Sequence, residues 1–215
     1  MYDLPYHKES SERAVREFIA EHPFAFLTGC DPQGKPVVTQ VPVFMEAREG
    51  RNLLRGHMMR NTDHHKAFVQ NENVLVVFTG NHAYVSGAWY ENPHTPSTWN
   101  YMSVHARGTM RFLAGADLED VLRKTSLHFE DQICESPTVY DNLPTRLKER
   151  LIRAIVSFEI TVTKMDNVFK LSQDRDIKSY CNIIGKLRER GENGRKIAAE
   201  MEKRIGEVFG EDETR

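Results

Sequence analysis

The segment Leu54 to Lys66, LRGHMMRNTDHHK, concentrates the residues best suited to hold an anion. An apolar strand, Asn52 to Gly56, empties into a helix whose first turn carries Asn61, Thr62 and Asp63. His57, Arg60, His64, His65 and Lys66 cluster at that junction. Backbone N–H groups point outward at a helix start, and the helix dipole favours negative charge there. Arg adds a bidentate fork and Lys a point charge. The chemistry implied is phosphate recognition. The spacing does not say which phosphate compound binds, and a capped, solvated helix start is the alternative.

Further along, HAYVSGAWY (82–90) and TWNY (98–101) put aromatic rings and a His near one loop. Aromatic faces suit a flat ring system, and Ser86 and Asn100 can hydrogen-bond its edge. An aromatic core patch beside a surface loop is the other reading. VHARG (104–108) reads as an exposed strand face. KLSQ (170–173) sits at a strand end before a helix. There Ser172 is a natural N-cap, and Lys170 can add an anion contact. Nine histidines raise a metal question, but no HxxxH or HExxH appears and His64 and His65 cannot share a helix face, so no metal site is expected. Walker, GxGxxG and GxSxG signatures are absent, and no nucleophile stands out.

The elements that must position these residues follow from periodicity. A helix is expected over 10–21, capped by Ser10, with Val15, Phe18 and Ile19 on one face. Short strands are expected at 24–30, 37–45 (Val37, Thr39, Val41, Val43 and Met45 inward), 53–56, 74–79, 83–86 and 99–113. Pro42 marks an edge or bulge, and Gly80-Asn81 a turn. The second half reads as helices near 118–129 and 144–151, strands at 154–163 and 168–171, and two final helices separated at Gly191 to Gly194. In the strand at 154–163, Val156, Phe158, Ile160 and Val162 point inward, with Ser157, Glu159 and Thr161 outward. Short strands with one inserted helix suit a small β-barrel better than a doubly wound sheet.

The chain has 215 residues, 40% of them hydrophobic and 28% charged, which bounds it as globular with a sizeable core. A net charge of −2 advertises no general pull toward nucleic acid or anionic membrane. From Lys178 to Arg204 the balance is +4, but the acidic tail cancels it, so a solvated helix pair or a dimer contact is expected there. No apolar run reaches transmembrane length, and the first residues carry no apolar signal core, so a cytoplasmic location is expected. Cys30, Cys134 and Cys181 lie far apart and read as free thiols.

GHMMRN, HAYVSGAWY, TWNY with VHARG, and FKLSQ, in this order and spacing, closely resemble the PaiB-like proteins. These are grouped with the FMN-binding split β-barrels, alongside the pyridoxamine phosphate oxidases. The resemblance spans about residues 1–205. It implies a mainly β fold with helices: a split β-barrel of about six antiparallel strands over 1–170 and a helical C-terminal extension over 171–215. It also implies a homodimer with FMN in a cleft between protomers. The oxidase pattern makes Arg60, Asn61, His65 and Lys66 the implied phosphate contacts, with His57 near the ribityl chain. Trp99, Asn100 and Ser103 are implied on the strand reaching the flavin from the partner chain, and Lys170, Ser172 and Gln173 from the family motif. The oxidases' basic strand motif is absent, for Asn52-Leu53-Leu54-Arg55 leaves only Arg55 in a comparable place. An FMN-dependent oxidoreductase is one expectation. A transcriptional negative regulator acting on DNA or a protein without redox turnover is a second. A haem-binding barrel with His57, His82 or His105 as axial ligand is a third.

Overall fold

In a computed structural model that describes residues 1–92 and 94–210, the chain forms two compact units. The larger comprises Arg16–Phe78 and His105–Met165, the other Met1–Val15, Thr79–Val104 and the described part of Asp166–Arg215. Six strands close into a barrel in the order β1-β2-β3-β6-β5-β4. They are β1 (Phe24–Cys30), β2 (Pro36–Arg48), β3 (Arg51–Met59), β4 (Asn73–Val85), β5 (Thr98–Leu113) and β6 (Ile155–Lys170).

In the larger unit the alternation expected of β2 holds. Val41 and Val43 are buried, while Val38 and Gln40 face out. Pro42 sits where β2 changes partners. Up to Pro42 it pairs with β1, and from Val43 it pairs with β3, so the missing N–H falls at the switch. Leu54, Met58, Phe158 and Ile160 interlock inside the barrel. Gly56 is needed there, because a Cβ would meet the Pro42 carbonyl at 2.6 Å and the Phe158 ring at 2.7 Å. The outer face of β3 and β6 carries Arg55 opposite Glu159 and His57 opposite Ser157. Glu159 accepts from Arg55 at 2.5 and 2.7 Å and from Arg111 at 2.6 and 3.0 Å. Asp120, on helix α3 (Ala116–Phe129), adds a contact to Arg55 at 3.5 Å. Burial alone would raise the Glu159 pKa, but the two guanidinium groups outweigh it and hold the carboxyl below its ordinary value.

The structure corrects several local expectations. Helix α1 (Glu12–Glu21) is capped by Ser11, whose hydroxyl accepts from the Ala14 N–H, rather than by Ser10. Gly80-Asn81 makes no turn. β4 runs through it, and the buried positions change phase, from Val74, Val76 and Phe78 to Ala83 and Val85, as an inserted residue requires. The strands expected at 154–163 and 168–171 are one strand, β6. Gly191 begins helix α6 (Gly191–Lys203), which runs through Gly194. The remaining helices are α2 (Asp63–Gln70), α4 (Thr145–Ala154), α5 (Ile177–Arg188) and α7 (Ile205–Phe209). Among the described residues no helix is long and apolar enough to cross a membrane.

Candidate functional site

The anion-suited residues of the larger unit gather where β3 ends and α2 begins. Thr62 is the N-cap and accepts from the His65 N–H at 3.3 Å. Its hydroxyl also meets His64 Nε2 at 3.0 Å, and Asp63 takes His64 Nδ1 at 3.1 Å. His64 and the helix's own acid are thereby occupied with each other. Asn61 takes a positive φ of 64°, which turns the chain into the helix. Its backbone N–H donates to His65 Nδ1 at 3.2 Å, which leaves Nε2 of that ring as the donor. Burial first, then the Arg60 charge, lowers the His65 pKa, so the ring is neutral near pH 7. The side chains of Arg60 and Lys66 have no ion pair among the described residues. They are the junction's uncommitted cations.

His57 lies on the same strand, three residues before Arg60. Its Nδ1 is buried with no hydrogen-bond partner, and burial lowers its pKa. The Ser157 hydroxyl directly opposite is fully buried and equally partnerless. An unmet buried polar group costs about 1–3 kcal/mol, so both atoms are candidates to meet a bound group. Alternation along β6 points Ser157 outward. Only the β3–β6 register puts it against His57. Arg55, the one residue comparable with the oxidases' basic strand, is committed to Glu159.

The second group lies in the smaller unit. The Lys170 ammonium donates to the Thr98 hydroxyl and to the Trp99 carbonyl at 3.0 Å, and it stands 5.8 Å over the Tyr2 ring. Burial lowers its pKa, with Arg175 assisting and Asp174 opposing. Ser172 is not the helix cap. That role belongs to Asp176, which accepts from the Ser179 N–H at 2.8 Å and starts α5. Ser172 is buried at a positive φ of 65° and donates to Asn100 Oδ1 at 3.0 Å. Gln173 accepts from the Leu171 N–H and donates to the Phe169 carbonyl, closing the same turn. Those two bonds fix its amide, so His7 Nδ1, 3.2 Å from Gln173 Oε1, carries a proton. His7 is a residue that sequence reading missed. Trp99 is 52% exposed, with the Tyr84 and His82 rings at 5.8 and 5.9 Å. Ser86 caps the short 3-10 turn Gly87–Trp89, and Ser103 is buried on β5. His82 stands on β4 in this unit, while His57 and His105 belong to the larger one.

The closed six-strand order with an inserted helix after β3 defines the class, a split β-barrel. Residues 1–164 match the family described as "Putative FMN-binding domain", and the chain belongs to it, a PaiB-like flavin family. It is 31% identical over 206 residues to the Protease synthase and sporulation protein PAI 2 of Bacillus subtilis, spanning 95% of this chain and 98% of that protein. Among solved structures it is similar to the flavocytochrome Anf3 from Azotobacter vinelandii, with a TM-score of 0.56 and 18% identity over 84% of this chain and 78% of that one. It is also similar to the FAD and heme binding protein from Mycobacterium smegmatis, with a TM-score of 0.54 and 16% identity over 76% and 73% of the two chains. At those identities the structural likenesses carry the fold alone.

FMN is the cofactor of this family, and the residues at the β3–α2 junction suit it. A capped helix start with two uncommitted cations matches a phosphate dianion. The partnerless His57 and Ser157 atoms match hydroxyl groups.

Proposed function

We propose that this protein is an FMN-binding homodimer of the PaiB type with a redox role. The observation that carries the proposal is the pair of uncommitted cations, Arg60 and Lys66, at the capped start of α2. In this reading Arg60, Asn61, His65 and Lys66 hold the flavin phosphate, and His57 meets the ribityl chain. From a second protomer, the partner's Trp99 and the partner's Lys170 approach the ring. Asn100, Ser172 and Gln173 shape the turn that carries Lys170, and Ser86 and Ser103 support the flanking strands. Bound flavin supplies one- and two-electron transfer, while the chain's own groups bind, orient and tune it. A cation beside the ring's pyrimidine edge favours the reduced, anionic form.

A second copy has a face to meet. The outer side of β1 and β2 exposes Phe24 (57%), Phe26 (38%) and Val38 (59%) across two paired strands. Exposed apolar side chains on two paired strands suit an interface. The test is an FMN titration of the purified protein followed from 300 to 600 nm, with mass measured by light scattering. Flavin bands that co-elute with a dimer support the reading. A protein that leaves the flavin spectrum unchanged at tens of micromolar removes it.

A second reading is a negative regulator of transcription without redox turnover. It is favoured by the 31% identity, over nearly the whole chain, to a protein named for protease synthesis and sporulation. Its test is a gel shift on the protein's own promoter region. Retention that weakens steeply with salt supports it, and equal retention of unrelated DNA argues against it.

A further inference from the structure

Helix α4 reads TRLKERLIRA, four basic residues against one acid. At about 3.6 residues per turn, Arg146, Arg150 and Arg153 share one face, and Leu147, Leu151 and Ile152 lie away from it. All three arginines are exposed, while Leu151 and Ile152 pack on the buried cluster of Leu118, Leu122, Tyr140 and Ile155. Lys148 is committed to the fold, donating to the Asp141 carbonyl at 2.6 Å and lying 5.3 Å over the Tyr140 ring.

The three arginines have no such use. They form no ion pair among the described residues, although Glu149 stands on the same helix, four residues before Arg153. Helices α5 and α6, where the sequence looks most basic, neutralise most of their cations. Lys178 pairs with Glu91 at 3.7 Å, Arg188 with Glu202 at 2.7 Å, Lys196 with Glu192 at 2.8 Å and Lys203 with Glu200 at 2.7 Å. On α3, Asp141 holds Arg123 at 2.7 Å, and Glu46 and Asp120 hold Lys124 at 2.8 and 3.0 Å. Helix α4 alone keeps three uncompensated charges in one row. The row leads to the β3–α2 junction, where the Ala154 carbonyl accepts from the Arg60 N–H at 2.9 Å.

A straight row of guanidinium groups complements a straight row of phosphates. From Arg146 to Arg153 the helix rises roughly 10 Å, at about 1.5 Å per residue. One strand of a duplex carries a phosphate about every 3.4 Å along the axis, so the row spans about three of them. We infer that the exposed face of α4 docks on the phosphate backbone of a nucleic acid duplex. A membrane surface is the poorer complement, because Leu151 and Ile152 are turned to the cluster beneath the helix and are not free to insert. Phosphate contacts position a protein without reading sequence. The net charge of −2 conceals the row, because it sums over faces that do not meet one partner together. The inference rests on the regulator reading for its setting and names a docking surface for it.

The test is fluorescence anisotropy of a labelled DNA duplex of arbitrary sequence, titrated with the full chain over a series of salt concentrations. Arg146→Gln/Arg150→Gln/Arg153→Gln should weaken binding at low salt about tenfold or more and flatten the log–log salt slope by about 2.7. Glutamine is a good helix former, and circular dichroism checks the fold. The triple Arg→Lys variant keeps the charge and should keep most of the slope. Arg188→Gln/Lys196→Gln, on α5 and α6, should leave it unchanged. No retention of the duplex at low salt, an unchanged slope in the triple glutamine variant, or an equal fall in the α5–α6 variant overturns the inference. Capture by phosphatidylserine vesicles in place of the duplex also overturns it and makes the face a membrane contact. Preference for the protein's own promoter over the arbitrary duplex is measured separately. Its absence removes the regulator reading and leaves the α4 surface standing.

Discussion

The β3–α2 junction and the turn at residues 170–176 present similar sequence signals and use them in opposite ways. Each places polar and basic residues between a strand and a helix. Each also holds a non-glycine residue at positive φ, Asn61 at 64° and Ser172 at 65°. At the junction the cap, the acid and His64 satisfy one another, leaving Arg60 and Lys66 outward and uncommitted. At the turn Ser172 is bonded to Asn100, and Gln173 to backbone and His7. Lys170 alone of KLSQ reaches out, toward Thr98 and Trp99. The first region leaves two cations without an ion pair among the described residues. In the second, most of the motif positions one lysine.

The largest test strikes the strand that carries the junction. Glu159→Gln removes the carboxylate paired most closely with buried Arg55, leaving it Asp120 at 3.5 Å and Glu46 at 3.9 Å, and should cost about 3 kcal/mol in denaturant unfolding. A loss under about 1 kcal/mol shows that those two longer contacts suffice. At the turn, Asn100→Ala strips the acceptor from buried Ser172 and should cost about 1–3 kcal/mol. The comparison predicts that it also weakens contacts made through Lys170, with phosphate recognition at the junction untouched. Matching glycine substitutions sharpen the contrast. Asn61→Gly should be neutral to within about 0.5 kcal/mol, because relief at positive φ offsets the added chain entropy. Ser172→Gly should cost about 1–2 kcal/mol, because the same relief comes with loss of a buried hydrogen bond. Equal effects would erase the distinction.

The smallest effect is a pH slope shared by both regions. Burial lowers the pKa values of His7, His57 and His65, so folding favours their neutral forms. Their contribution is fully present above the unfolded-chain value, about 6.5, and is lost as pH falls through that value toward the folded ones. Glu159, held low by its guanidinium partners, keeps its contribution down to about pH 4.3 and loses it below. Unfolding midpoints should therefore fall in two stages on acidification. The first stage shrinks in His7→Gln, and an unchanged first stage in that variant would clear His7 of the role.

Much of the barrel was legible in the sequence. Period-2 alternation marked β2 and the first half of β6, Trp99 to Leu113 read as one long strand, and the apolar run before Asn61, Thr62 and Asp63 marked the β3–α2 junction. What escaped notice depends on partners far along the chain. The polar stretch Lys164 to Asn167 looks like a break in β6, yet the strand runs through it. Ser172 satisfies the local rule for a cap, but Asp176, four residues on, supplies the carboxylate that starts α5. His7 reads as part of a tail until Gln173 is found 166 residues away. Tyr90 and Arg175 carry no local signal, for the guanidinium comes to lie 4.8 Å over the ring only after the chain has folded.

The central claim is that Arg60 and Lys66 hold a flavin phosphate, and riboflavin, which lacks that phosphate, tests it most directly. Titrating FMN and riboflavin into the protein and into the Arg60→Ala/Lys66→Ala variant compares the phosphate contribution with and without the two cations. FMN should bind about 100-fold or more tighter than riboflavin to the unaltered protein, as two charge-assisted contacts imply. That preference should largely vanish in the double variant. Riboflavin that binds as tightly as FMN, or a double variant that keeps the full preference, would contradict the account.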